Sequence, residues 1–352
     1  MDLLSFIRKN TFRFFIISLT IAALVWFFIH LTREDDLRDV FRVFTDSRII
    51  YLVLAFVLMV ISLLAKGYRF YILLKPSSEQ LTFKKFLLPF FVGYGFSTLG
   101  PLKSGEIASI EINKRTRSVP RTSSLAALAL FRIIDLILVL IFLVVAFAVT
   151  LPKVLDESYT TPLRIVFYIS LIGTIILSFI LFFPAVGKIT LNTLEKLIKK
   201  ISARGAGWLN NTIEPSLDVY YTSLKNLINQ KKLSFLVLFL SIFRWAMEIY
   251  SFKITLLAFD IDISFVDAAA ISAVTMLVII LTLVPAGIGT GTITTLVLLE
   301  GLSISSIVAG ASIIYQTLIG TGLTLSVAAV SSIFLKKDDK MKKEEEEEKY
   351  TE

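Results

Sequence analysis

Apolar residues run through this chain in long blocks, without the strict alternation of a half-buried strand. Six blocks reach or approach the ~18 to 20 residues a helix needs to cross a bilayer. They cover about 12–31, 49–65, 123–151, 163–184, 233–259 and 303–335, and the second continues amphipathically to Leu74. Two more apolar stretches, 86–101 and 265–299, are interrupted. The first holds Gly93, Gly95, Gly100 and Pro101, with Gly105 just beyond; the second holds Pro285, Gly287 and Gly289. Irregular backbone at membrane depth leaves N–H and C=O groups that lipid cannot satisfy, so it survives where protein buries it or where it lines a watery cavity. The pattern predicts an all-α polytopic membrane protein of six full spans plus two re-entrant or broken hairpins, or about eight transmembrane segments if hairpin halves count as spans. Interruptions paired between the two halves point to a binding or transport site.

Basic residues between the blocks set orientation. Segments 66–85 and 103–121 each carry five Lys or Arg, which puts both flanks of the first interrupted stretch on the cytoplasmic side, as for a re-entrant hairpin. Loop 152–162 has one Lys beside Asp156 and Glu157, whereas 188–232 has eight Lys or Arg, so the first reads as outside and the second as inside. No Lys or Arg occurs from 254 to 335, and the second hairpin is expected to enter and leave on the outside. Both termini are then cytoplasmic in a multi-pass protein of the cell membrane. Residues 1–335 form one transmembrane domain, with Arg8, Lys9 and Arg13 leading an uncleaved signal-anchor. Segment 188–232 reads as a basic amphipathic stretch on the inner leaflet. The tail 336–352, with six Lys and eight acids, reads as disordered.

Composition narrows the function classes. The 352 residues are 55% hydrophobic with 29 Phe and no Cys, at a mean hydropathy of +0.78. Absence of Cys removes thiolate nucleophiles and sulfur-ligated metals, and a single histidine, His30, leaves no histidine metal cluster within one chain. His30 itself reads as an interfacial residue. No metal and no cofactor are implied. The net charge of +8 sits in short loops beside apolar blocks, where it meets anionic lipid head groups rather than nucleic acid.

Charged residues inside apolar blocks are the remaining chemistry, because ionisable groups in a membrane usually face a cavity or one another. Arg132 and Asp135 lie three apart in the third block, and Arg244 and Glu248 four apart in the fifth. Each pair shares a helix face and can neutralise itself, and each is also a candidate partner for the other across the bundle. Beyond the first interruption, Lys103 and Glu106 would lie near a helix N-terminus that suits an anionic head group. The second interruption has no acid or base nearby, so its chemistry would come from backbone amides and the hydroxyls of Thr290, Thr292, Thr294 and Thr295; it also fits a helix-packing kink.

The Gly-Pro-x-x-x-Gly-Glu run at 100–106, Arg-x-x-Asp at 132–135 and Pro-x-Gly-x-Gly at 285–289 resemble, in order and spacing, the lysylphosphatidylglycerol synthase transmembrane, or flippase-like, family of UPF0104-type membrane proteins. The resemblance covers about residues 10–335. It implies a membrane domain that moves lipids, such as aminoacylated phosphatidylglycerol or polyprenyl-linked saccharides, between leaflets. The soluble aminoacyl-transferase domain fused to some members is not seen here, so no enzyme activity is carried over. Three positions depart from the family's pattern: Phe131 stands where an acid commonly precedes the Arg, Ala286 replaces a glycine, and Thr292 stands where a Glu is expected.

These observations favour translocation of an anionic phospholipid or lipid-linked glycan. Lys103, Arg132 and Arg244 would neutralise phosphate, with Glu106, Asp135 and Glu248 as countercharges or proton carriers. A membrane-embedded glycosyl or acyl transferase and a small-solute or ion transporter stay open as alternatives, as does homo-oligomerisation. With Thr292 in place of a carboxylate, the first interruption with Glu106 is the expected seat of substrate chemistry and the second is expected to be architecture.

Overall fold

A computed structural model describes residues 42–78, 81–99, 109–114, 119–155, 157–199, 214–282, 287 and 289–335. Every regular element among them is helical. They are α1 Ile49–Leu74, α2 Phe83–Leu99, α3 Arg121–Val145, α4 Leu151–Val154, α5 Glu157–Phe182, α6 Pro184–Lys199, α7 Glu214–Asn229, α8 Lys231–Ala258, α9 Phe265–Thr282, α10 Thr290–Gly301 and α11 Ser306–Thr317. A π turn, Ala146–Thr150, joins α3 to α4, and a second, Leu318–Gly322, carries α11 onward to residue 335. Among the described residues, six helical stretches are long and apolar enough to cross a bilayer: Ile49–Ser77, Arg121–Val154, Thr161–Phe182, Lys231–Ala258, Phe265–Thr282 and Ser306–Leu335. The protein is a polytopic all-α membrane protein.

The expected spans and the observed ones differ in instructive places. The expected span at 12–31 lies outside the described residues. The sixth observed crossing is instead α9, the first arm of the second interrupted stretch. Helix α1 runs on past residue 65 to Leu74, along the amphipathic continuation expected of the second block, so Lys66 and Arg69 lie in the helix although they also count toward the positive charge of segment 66–85. Gly93 and Gly95 do not break the chain: both lie within continuous α2, which also contains Pro89. Gly95 is a close-approach site, since a Cβ there would collide with that of Ala328. Small residues of this kind let helices in lipid pack tightly where there is no aqueous hydrophobic drive. Gly100, Pro101 and Gly105 lie outside the described residues.

The second interruption is a true break. Gly287 and Gly289 take φ of +66° and +91°, a left-handed region that residues with a Cβ rarely enter. The chain reverses there and α10 packs back on α9, with Ile279 against Gly287 and Gly291. Thr275 and Thr295 hydrogen-bond across the pair at 2.9 Å. At 1.5 Å per residue α9 is about 27 Å long and α10 about 18 Å. Only α9 approaches the ~30 Å hydrocarbon thickness, so the two arms are unequal. Pro285 lies outside the described residues.

The centre of the bundle is the antiparallel pair α1 and α8. Its register is marked by the Arg48 amide donating to the Ala258 carbonyl at 2.9 Å and by the Ser251 hydroxyl donating to that of Ala55 at 2.8 Å. Helix α3 packs on α1, α7 and α9, and Thr150 in its π turn donates to Asp267 at the start of α9. On α9, Ala268, Ala269, Ala270 and Ala273 are buried in the core shared with Val139, Leu143 and Ala146. The outer side of α5 exposes Ile165, Ile169, Ile172 and Ile176, an apolar belt suited to lipid.

Beyond α5 the chain bends at Phe183-Pro184. Pro184 has no N–H to offer the Ile180 carbonyl four residues back, and the Tyr221 hydroxyl of α7 donates to that carbonyl at 2.7 Å instead. Tyr220 donates to the next one, Leu181, at 3.2 Å. Helix α6 then buries Leu191 and exposes Ile189, Leu194 and Leu197 together with Lys188, Lys196 and Lys199.

Candidate functional site

Helical spacing gathers charge from three elements at one level of the bundle. Lys66 and Arg69 are one turn apart on α1, and Arg132 and Asp135 one turn apart on α3. Ser241, Arg244 and Glu248 recur at helical spacing along α8. Arg244 lies twelve residues from Lys232, or about 18 Å along the helix, which places it near the centre of a ~30 Å core.

Asp135 is the hub. Arg69 grips it through both terminal nitrogens, Nη1 to Oδ1 at 2.8 Å and Nη2 to Oδ2 at 2.9 Å. This fork matches the two carboxylate oxygens, which a lysine could not do. Arg244 Nη2 stands 3.6 Å from the same Oδ1, and its Nη1 donates to Glu248 Oε2 at 2.5 Å. The two intramembrane pairs expected from the sequence therefore meet across the bundle. The bidentate partner of Asp135 is Arg69, however, and not its neighbour on α3. Arg69 also donates to the Ser241 hydroxyl at 2.5 Å, and the Ser241 hydroxyl in turn donates a hydrogen bond to the Val237 carbonyl at 2.6 Å.

Burial makes this network costly to break. Arg69 is 0% exposed and Arg244 3%; ions carried so far from water are tolerated only when paired and hydrogen-bonded. The Arg69 guanidinium carbon also sits 3.7 Å from the centre of the Phe131 ring. A cation over an aromatic face is stabilised by the ring quadrupole, so Phe131, at the position where the family's pattern has an acid, meets the arginine with a π face.

Among the described residues the cluster sets four cations, Lys66, Arg69, Arg132 and Arg244, against two acids, Asp135 and Glu248; Arg69 and Arg244 are ion-paired to those acids, and Lys66 is the cation that reaches the cavity wall. Its recorded partner is a phenol: Nζ donates to Tyr94 Oη at 2.5 Å. Lys66 and Tyr94 line a cavity of about 320 Å³. The lining divides by element. Helices α1, α2 and α8 contribute Lys66, Tyr94, Trp245 and Glu248; α9 to α11 contribute a neutral half that includes Thr275, Thr295, Gln316, Thr317 and Thr324. Gly287, Gly291 and Thr292 from the second break, and Gly320 and Thr321 from the π turn, also face it. Such turns recur at functional sites because they interrupt regular helix bonding. In the cluster and the cavity wall beside it, the buried Arg69 Nε, Arg244 Nε and indole N–H of Trp245 have no partner among the described residues.

The sequence profile of the lysylphosphatidylglycerol synthase TM region matches residues 15–328. The chain belongs to this family. It is also similar to a UPF0104 membrane protein of Methanocaldococcus jannaschii, with 22% identity over 309 residues, covering 86% of this chain and 90% of the relative. Of the residues singled out from the sequence, the family member's described core unites Arg132, Asp135, Arg244 and Glu248 at one level. Lys103 and Glu106 lie outside the described residues. Lys66, Arg69, Tyr94 and Trp245 were not singled out. The one available signal was the position of Lys66 and Arg69 in phase with the amphipathic continuation of α1.

Proposed function

We propose that this protein moves an anionic phospholipid or a lipid-linked glycan between leaflets, the phosphate crossing the bilayer centre in the cavity beside Lys66 while the tails stay in lipid. The observation that carries this reading is the cation on the cavity wall: an ammonium whose recorded partner is a neutral phenol, near the membrane centre. A bare positive charge there is costly, and a phosphate oxygen would both pair it and meet the unpartnered indole N–H of Trp245, which also lines the cavity. Arg132 and Arg244 add to the positive field, and Glu248 is restrained by Arg244. In this reading Lys66 takes the leading role in neutralising phosphate that the sequence gave to Lys103, Arg132 and Arg244. Family membership supports a membrane domain working on lipid.

The orientation proposed with it has both termini in the cytoplasm of the cell and α6–α7 against the inner leaflet. It is supported by the eight Lys or Arg of 188–232 against none from 254 to 335. The test is a leaflet-accessibility assay with the purified full chain in phosphatidylglycerol-containing liposomes. Wild type should equilibrate labelled anionic lipid at least tenfold faster than Lys66→Gln; equal rates would sink the assignment.

A further inference from the structure

Away from the central cavity, α3 and α5 leave a second hollow between them, a cleft of about 560 Å³. Ile137, Ile141 and Val144 of α3 form one rim and Ile175, Phe179 and Phe183 of α5 the other, all exposed, with Thr174 buried at the floor. No charged group lines it. Its two hydroxyls are used within their own helix, Thr174 donating to the Ser170 carbonyl and Ser178 to that of Thr174, each at 2.7 Å. At the outer end Phe167 meets Phe147 with ring centres 5.3 Å apart. From Leu171 to Phe183 the cleft then follows α5 for ~18 Å, a little more than the ~15 Å half of a hydrocarbon core. The apolar span of α5 is Thr161–Phe182, so Leu171 stands at its middle and Phe183 at its end, which is the inner end in the orientation proposed above.

Size and chemistry both point to a hydrocarbon chain. Neighbouring helices pack ~8–10 Å apart, so the space between two of them suits a chain of methylenes better than a further helix ~10–12 Å across. The lining offers no free donor to a phosphate, so a head group cannot travel along it. At the inner end, α6 begins at Pro184 and carries Lys188, Lys196 and Lys199 against one acid, Glu195; Lys188, half exposed, pairs with Asp218 of α7 at 2.9 Å. We infer that the cleft is a second lipid site: it holds one acyl chain of an anionic inner-leaflet phospholipid whose phosphate lies in the field of the α6 lysines, and this lipid is resident, seating α5 on α3, and is not transported. Of the six spans α5 is the one least buried by protein, with 6% of its most apolar stretch covered, so a bound chain supplies packing that its neighbours do not. The inference rests on the proposed orientation and does not depend on the central cavity.

Photocrosslinking tests it. Full-length protein in phosphatidylcholine nanodiscs receives a trace of phosphatidylglycerol bearing a diazirine on one acyl chain, and labelled residues are mapped by mass spectrometry. Ile175 and Phe179 in the cleft should be labelled at least about tenfold more than Ile172 and Ile176 on the outer belt of the same helix, a preference worth one decade of affinity. A phosphatidylcholine probe of the same design should label the cleft several-fold less. Ser178→Phe, which fills the cleft, should abolish the preference, and Lys188→Gln with Lys196→Gln and Lys199→Gln should bring the anionic probe down to the level of the neutral one. Lys66→Gln should leave cleft labelling unchanged, whatever it does to transport. Even labelling around α5 in wild type overturns the inference, and this arm needs no variant to fold. Equal labelling of the cleft by the neutral probe, or an anionic preference that survives loss of the lysines, overturns the anionic site. An unlabelled cleft in a protein of dimeric mass would assign it to a second copy, and loss of labelling in Lys66→Gln would place the cleft on the transport path; either result refutes a resident lipid.

Discussion

Lys66 and Arg69 stand one helical turn apart on the same helix, three positions from each other, and do opposite things. Arg69 is closed off entirely and held by protein, with two bonds to Asp135, one to Ser241 and an aromatic face from Phe131, and only its Nε lacks a partner among the described residues. Lys66 opens to the cavity with a phenol as its recorded partner. A guanidinium suits the first place because its flat fork meets a carboxylate at two points, and an ammonium suits the second because it is a compact charge on a flexible stem. The difference teaches how to divide charges buried at one depth: those whose valences are met by protein hold helices together, and those left over await a ligand.

The strongest way to break this comparison is to remove the answered charge. Arg69→Met should destabilise the protein by about 3–5 kcal/mol, because Asp135 then stays buried without its bidentate partner. Thermal unfolding in detergent measures it. Converting both partners, Arg69→Met with Asp135→Leu, should recover a large part of the loss. A single variant as stable as wild type would refute the structural role of the pair.

Removing the unanswered charge should do the reverse. Lys66→Gln should leave stability within about 1 kcal/mol of wild type and lower affinity for anionic lipid at least tenfold, equivalent to about 1.4 kcal/mol or more. Equal damage to stability and binding would erase the distinction between the two residues. Glu248→Gln sharpens it from the other side. The change leaves Arg244 with Asp135 and adds one positive charge to the cluster, so anionic lipid binding should strengthen by a few-fold. Weakened binding in equilibrium titration would show that the carboxylate contacts ligand directly.

The course of the spans was legible because a helix in lipid must be apolar along its whole length, and that pattern survives without knowledge of neighbours. Its limits have physical reasons. Lys66 and Arg69 looked like loop residues because the positive-inside rule counts charge, and a charge that ends an apolar run resembles one that lies inside a longer helix. Which cation grips Asp135 depends on α1 crossing α3, a contact between residues 66 positions apart that helical spacing cannot show. The departure at Phe131 read as a lost acid until Arg69 was found over its ring. Gly93 and Gly95 read as a break because glycine marks both reversals and tight packing. At Gly287 and Gly289 the same residue type does reverse the chain. The second interruption, expected to be architecture, contributes Gly287, Gly291 and Thr292 to the cavity lining.

A final comparison places both regions against a contact remote from them, the tyrosine pair of α7 at the α5–α6 bend. Tyr221 replaces the donor that Pro184 lacks, so Tyr221→Phe should cost about 1 kcal/mol and leave lipid affinity unchanged. Burial raises the pKa of both phenols; Tyr221 adds to the rise at Tyr220, and Lys188 opposes it at Tyr221. A phenol with a raised folded-state pKa contributes stability that is whole below its unfolded value near 10 and is lost as pH rises through the folded value. Wild type should therefore lose stability above pH ~10 more steeply than the Tyr220→Phe, Tyr221→Phe double variant. Circular dichroism melts between pH 8 and 11 decide the matter, and parallel slopes for the two proteins would mean that the tyrosines do not hold the bend through their protons.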